Sequence, residues 1–188
     1  MLESPFAPQS QLALDGVISA GEYPRRHPHP PTGTELHLLS GRVLLLVGLS
    51  SPGQGWLAVG FDPVRRMQGA NVVIAAVSEE GLAIADHYGA SPISHRQDLQ
   101  DHVLLAAGTE SEAGTQLEFI IPLDSGDPQD RPLFLLTLTQ SSWLTIIAQI
   151  ASAPVTVGVG DWKWNSKAKL TRRFPPQGVS PARPPSSS

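Results

Sequence analysis

Short apolar runs separated by turn residues constrain the fold of this chain most strongly. The runs are rich in Val, Leu and Ile, and the 188 residues include 17 Gly and 18 Pro that punctuate them. Runs of this length and spacing are typical of strands, and no segment keeps the 3.6-residue period of a helix. The sequence predicts an all-β, immunoglobulin-like β-sandwich. Its strands are expected near residues 12–19, 35–40, 42–49, 55–61, 70–77, 81–86, 102–107, 115–121, 132–139, 143–151, 154–158 and 167–173.

Three stretches are expected to lie outside the strands. Residues 24–32 are rich in Pro and predict a loop, and the polar residues 89–101 predict a long surface loop. Residues 175–188 are rich in Pro and Ser and carry too little apolar surface to offset the entropy of ordering, so they predict a disordered tail or linker. Residues 1–174 are then one domain, because this length suits a single core.

Composition argues against several classes of function. The chain has no Cys, so it forms no disulfide or thiolate metal site and uses no cysteine nucleophile. A net charge of −4 with 16% charged residues gives no basic footprint for nucleic acid. No apolar run reaches the roughly 18 residues of a membrane-spanning helix.

Met67 stands out because Met1 is the only other methionine. It lies in a polar segment between the apolar runs 55–61 and 72–77. Thioether sulfur is a soft ligand that can bind haem iron. Methionine is also a common gap-filler in cores. The residue alone leaves both roles open.

Several blocks resemble the DOMON domain, and they occur along the chain in the family's order. The central block is the most specific: a Gly-Trp strand ends in Gly-Phe, and a Met-x-Gly-Ala turn then leads into the next strand. The blocks are LDGVI at 14–18 with GEY at 21–23, GWLAVGF at 55–61 with MQGANVV at 67–73, DHYG at 86–89, and IPLDSGD at 121–127. The resemblance covers roughly residues 12–173. It implies a β-sandwich that binds either haem b, for electron transfer, or a sugar-like ligand.

The resemblance also implies a pair of iron ligands. In the cytochrome members a methionine of the central block is one axial ligand, and Met67 matches it. Their second ligand is usually a histidine near the last strands, whereas the last histidine here is His102. The haem subunit of ethylbenzene dehydrogenase has a similar fold and pairs methionine with lysine. By that resemblance Lys163 is the second ligand, and Lys167 and Lys169 are alternatives.

Other residues have two interpretations each. A dry pocket lined by Trp162 and Trp164 would favour the neutral lysine that binds iron. Arg65 and Arg66 either pair with haem propionates or lie in a solvated turn. Trp56 is a pocket wall or part of the core.

His87 and His95 flank a polar loop. They are alternative iron ligands, a copper site or, as the favoured interpretation, two solvated side chains.

The sequence thus predicts a haem b electron-transfer domain outside the cytoplasm, with a redox protein or a membrane cytochrome as its partner. It shows no catalytic constellation, so we expect no enzyme. One alternative is a carbohydrate-binding or other small-ligand module without haem, with a stacking platform made of Trp56, Trp143, Trp162 and Trp164. A second alternative is a purely structural or interaction domain.

Overall fold

The computed structural model describes residues 13–134 and the backbone of residues 147–148 and 172–174. This part of the chain contains strands joined by turns and loops, without a helix. It therefore includes no helix that is long and apolar enough to cross a membrane. The strands are β1 (Arg25–His29), β2 (Thr34–Ser40), β3 (Leu44–Ser51), β4 (Trp56–Phe61), β5 (Asn71–Ser78), β6 (Gly81–Ser91), β7 (Ser94–Gln97), β8 (Leu105–Ser111), β9 (Gly114–Pro122), β10 (Ile147–Ala148) and β11 (Arg172–Phe174).

The strands form two antiparallel sheets. The order in the first sheet is β1-β2-β3-β9-β8. The order in the second is β10-β4-β5-β6-β11, and β7 also pairs with β6. The two sheets pack as a sandwich, which confirms the predicted fold class.

The main core lies between the inner faces of the two sheets. Side chains alternate between the faces of a strand, so every second residue points inward. Leu57, Val59 and Phe61 of β4 belong to this core, together with Val73 of β5 and Phe119 of β9 in the other sheet. Burying each large apolar side chain contributes about 1.5–3 kcal/mol, which makes this layer the main source of stability.

Residues 13–23 pack on the outer face of the first sheet. Tyr23 joins Leu46 and Ile120 in an apolar cluster there. The carboxylate of Glu118 is fully buried on the same face and accepts hydrogen bonds from the Gly16 amide at 2.8 Å and the Tyr23 hydroxyl at 2.6 Å. Burial raises the pKa of Glu118. One buried carboxylate therefore holds the first described segment to the sandwich.

Two predicted loops and one predicted strand were wrong. Residues 25–29 form the edge strand β1, where Pro28 is tolerated because an edge position does not require every ladder N–H. Residues 94–97 form β7, which turns back on β6 after a two-residue loop. Residues 13–19 form no strand, since amides of this segment bond to side chains such as Glu118 instead of a neighbouring strand.

The later predictions fall mostly outside the described residues. Of the strands expected at 143–151 and 167–173, the structure describes Ile147–Ala148 and Arg172–Phe174 as strand. The strand at 154–158, the domain end at 174 and the tail at 175–188 lie at or beyond the limits of the described part.

A double-mutant cycle measures the Glu118 contact. We expect Glu118→Leu to cost about 3 kcal/mol of unfolding free energy, because it leaves buried donors without an acceptor. Tyr23→Phe alone should cost about 1–2 kcal/mol, and little when added to Glu118→Leu. Urea unfolding of the four proteins gives the values. Additive costs would show that the two groups do not act together.

Candidate functional site

The outer face of the second sheet carries an apolar surface of small and medium side chains. This surface is separate from the core between the sheets. The buried members are Ala58, Ala70, Val72 and Ile74, and Trp56 packs against them half-buried.

The strand register extends this surface to His87. Gly60 of β4 pairs with Val72 of β5, and Val72 pairs with His87 of β6. Directly paired residues of antiparallel strands lie on the same face of a sheet. The imidazole of His87 therefore lies beside the apolar surface and not in the sandwich core.

Met67 lies in a tight turn between β4 and β5. The Val64 amide donates to the Gln68 carbonyl at 2.8 Å, and the Ala70 amide donates to the Met67 carbonyl at 3.1 Å. Arg66 has a φ of 53°, in the left-handed region that residues with a Cβ rarely adopt. Strained backbone of this kind is concentrated at functional sites.

Gly89 of β6 holds this turn against the sheet. The Gly69 amide donates to the Gly89 carbonyl, and the Gly89 amide donates to the Ala70 carbonyl, both at 2.8 Å. A Cβ at Gly89 would lie 1.6 Å from the Met67 carbonyl oxygen. Gly89 follows His87 by two residues, so its Cβ direction is that of the His87 side chain. Met67 thus lies over the outer face of the second sheet.

The Met67 side chain is buried, with 7% of the residue exposed. Among the described residues it belongs to none of the three clusters of packed apolar side chains. Arg65 and Arg66 precede it in the same turn and are exposed, so one turn carries a buried methionine and two exposed arginines.

His87 and His95 contact each other through their rings. Their Nδ1 atoms are 2.9 Å apart, and the ring centroids are 4.8 Å apart. Burial lowers the pKa of both imidazoles to about 4. Two neutral rings can share this contact when one Nδ1 donates and the other accepts. The interpretation as two solvated histidines was therefore wrong.

Part of the predicted site lies outside the described residues. Met67, Arg65 and Arg66 share one turn, and Trp56 packs on the outer face of the second sheet at the other end of β4. The other predicted site residues, which the structure does not describe, are Lys163, Trp162 and Trp164, with the alternatives Lys167 and Lys169 and the stacking candidate Trp143.

The contact between His87 and His95 was not predicted from the sequence. Pro92 and Ile93 are the two residues of a tight hairpin that folds β7 onto β6, and neither residue is typical of such a turn. The register then shifts between Tyr88 and Ser91, and this shift places His95 on the same face as His87.

A family comparison covers most of this site. The family model of the DOMON domain matches residues 45–144, more than half of the chain. The matched range includes Trp56, Arg65, Arg66 and Met67, and it ends before Lys163. It confirms the predicted resemblance.

Gly89→Ala tests how the Met67 turn is held. The new methyl group would meet a backbone oxygen, so the turn must move and we expect a loss of at least about 2 kcal/mol. Gly60→Ala is the matched control on the same sheet face, because its nearest neighbours would lie at 3.5 Å, an ordinary contact. Thermal unfolding of both variants gives the comparison. Equal, small losses would contradict the described contact.

The histidine pair predicts a pH dependence of stability. Unfolded imidazoles have a pKa near 6.5, and those of folded His87 and His95 lie near 4. Between about pH 6.5 and 4 the unfolded state binds protons that the folded state does not, so stability falls as the pH falls through this window. Asp98 is the charged group that opposes the effect at His87.

The variant His87→Gln/His95→Gln isolates this effect. Its carboxylates are those of the original chain, so their contributions cancel in the comparison. In urea unfolding at pH 7 and pH 4.5, the haem-free original chain should lose more stability than the variant. Parallel losses would rule out a depressed pKa for the pair.

Proposed function

Because the chain belongs to the DOMON domain family, we propose that it binds haem b on the outer face of the second sheet and transfers single electrons. Members of this family bind haem or sugars. The observation that carries the haem proposal is the buried Met67, whose backbone lies over the outer face of the second sheet and whose side chain belongs to none of the packed clusters of the described residues.

The described residues fit a haem group. The macrocycle is flat and apolar, and the surface around Val72 and Ile74 is apolar with small neighbours. Haem propionates are anionic, and the exposed guanidinium groups of Arg65 and Arg66 suit carboxylates. The Met67 backbone lies over this face, and we propose that its sulfur would bind the iron.

We propose that Lys163 would be the second protein ligand of the iron, with Lys167 and Lys169 as alternatives. The support is the resemblance to the haem subunit of ethylbenzene dehydrogenase and the lack of any histidine after His102. His87 is the competing candidate, because it lies on the same sheet face and its imidazole is neutral at pH 7. Only a neutral amine or imidazole can bind the iron.

Bound haem would supply a one-electron iron couple. The residues of the chain bind and orient it, keep water from it and set its potential. Thioether ligation by Met67 raises the reduction potential relative to two nitrogen ligands. This proposal assigns no bond-making chemistry to the chain, so the protein acts as an electron carrier and not as an enzyme.

Location and partner follow from the same proposal. DOMON domains are typically extracellular, which supports a location outside the cytoplasm. A carrier of single electrons needs a donor and an acceptor, and we propose a redox protein or a membrane cytochrome for one of them. This partner would contact the edge of the haem and the exposed guanidinium groups of Arg65 and Arg66.

A second candidate function is binding of a sugar or another small ligand without haem. The outer face of the first sheet has an open cleft of ≈ 340 Å³, lined in part by Glu35, His37 and Gln116. Ligand pockets of this size usually present aromatic side chains. Among the described residues that line this cleft, there is no Phe, Tyr or Trp. The haem proposal therefore has the stronger support.

A haem titration of the original chain and Met67→Leu tests the proposal. Leucine keeps the volume and apolar character of methionine, so the turn should stay folded. We expect the original chain to give a low-spin spectrum. Met67→Leu should give a ferric spectrum shifted towards high spin and a lower reduction potential, because the thioether is lost. An identical spectrum in the two proteins would exclude Met67 as a ligand.

A second set of variants identifies the other ligand. Lys163→Ala should leave the thioether bound and open the opposite side of the iron to added imidazole, whereas the matched control Lys167→Ala should not. Acid should reproduce the effect of Lys163→Ala, since protonation removes the amine from iron. If His87→Gln opens the iron and Lys163→Ala does not, the assignment passes to the histidine.

A further inference from the structure

A cluster of polar side chains lies on the inner side of β6, opposite the proposed haem face. Asp86 pairs with Val73, a core residue, so its carboxylate points between the sheets. His102 Nδ1 lies 3.5 Å from Asp86 Oδ2 and 3.1 Å from Asp130 Oδ2. One ligand atom from each of the three residues lies within 4.8 Å of the others.

The cluster is deeply buried and not satisfied by hydrogen bonds. The side chains of Asp86 and Asp130 are each 2% exposed, and Oδ1 of each has no hydrogen-bond partner. His102 Nδ1 also has none, because its short contacts to the two carboxylates lack hydrogen-bond geometry. Buried polar atoms are paired in the great majority of cases, so three in one place indicate an additional partner.

Asp98 adds an independent observation beside these three residues. Its amide donates to the Asp86 carbonyl at 3.0 Å, and its carboxylate is near enough to raise the pKa of both Asp86 and Asp130. Asp98 is more than nine-tenths buried, and its Oδ2 has no hydrogen-bond partner. Three carboxylates share this buried region, and in the described part of the chain no lysine or arginine forms an ion pair with them. Buried carboxylates of this kind must either bind a cation or become protonated.

We propose that Asp86, His102 and Asp130 bind a divalent transition-metal cation of the zinc class, with the buried Asp98 carboxylate adding negative charge beside the site. Imidazole nitrogen with carboxylate oxygen suits zinc, whereas calcium and magnesium prefer oxygen alone. Tetrahedral ligands about 2.0–2.2 Å from zinc lie about 3.3–3.6 Å from one another. The two contacts of His102 Nδ1, at 3.1 and 3.5 Å, approach that spacing.

The cation would act as a structural cross-link. Asp86 belongs to β6, His102 to the segment that leads into β8, and Asp130 to the segment that follows β9. Backbone and side-chain bonds already join these parts: the His102 amide donates to Asp86 Oδ2 at 2.9 Å, and the Ser125 hydroxyl donates to Asp130 Oδ2 at 3.1 Å. The cation would fix three segments at one end of the sandwich. This site is independent of haem binding.

The test is zinc binding to the full, untagged and metal-stripped chain. Isothermal titration should give one zinc ion per chain, and thermal unfolding should show a higher Tm with zinc. Asp130→Asn and His102→Gln should each weaken zinc binding at least tenfold. Asp124→Asn is the matched control, because this nearby carboxylate is no part of the cluster and accepts a local bond from the Gly126 amide. It should bind zinc like the original chain.

The melting temperature of the metal-free Asp130→Asn variant is a second readout. It separates a loss of zinc binding from a general loss of stability. Removing one of three crowded negative charges should raise this Tm, while the gain on adding zinc disappears. A lower metal-free Tm in Asp130→Asn, with no effect of zinc on the original chain, would show that the cluster is only a structural network. Zinc binding that is lost in His87→Gln/His95→Gln and kept in Asp130→Asn would place the ion at the other histidines and overturn the proposal.

Discussion

The antiparallel pairing of β5 with β6 is the interaction on which both proposed sites depend. Its register places Val72 beside His87 on the outer face and Val73 beside Asp86 on the inner face. A shift by one residue would exchange the two faces, because side chains alternate along a strand. The same ladder continues into Gly89, which carries the Met67 turn. One strand pair thus sets an apolar ligand face and a buried polar cluster back to back.

The two faces of β6 have opposite electrostatic character. On the outer side burial keeps His87 and His95 neutral at pH 7, as an apolar ligand face requires. On the inner side burial and neighbouring carboxylates raise the pKa of Asp86 to about 7. Neutral side chains suit a large apolar cofactor, whereas clustered carboxylates suit a small cation. Strand β6 therefore separates the proposed haem face from the proposed cation site.

Local patterns in the sequence were enough to predict the fold class, most of the central strands and the turn that carries Met67. They failed where a residue's partner is distant in sequence or where a turn was not recognised. β1 was missed because Pro28 suggested a loop, although an edge strand tolerates proline. His87 and His95 meet only through the hairpin at Pro92 and the register shift beside it. Asp130, in a loop, meets Asp86 of β6 only in the folded chain. The periodicity of apolar residues along the sequence does not predict contacts between residues that are distant in sequence.

The central claim is that the thioether of Met67 binds haem iron. X-ray absorption at the iron edge of the haem-loaded protein measures this most directly, because the chain has no Cys and Met67 is the only methionine besides Met1. The account predicts one sulfur scatterer bound to iron in the original chain and none in Met67→Leu. A first shell made only of nitrogen and oxygen in the original chain would contradict it.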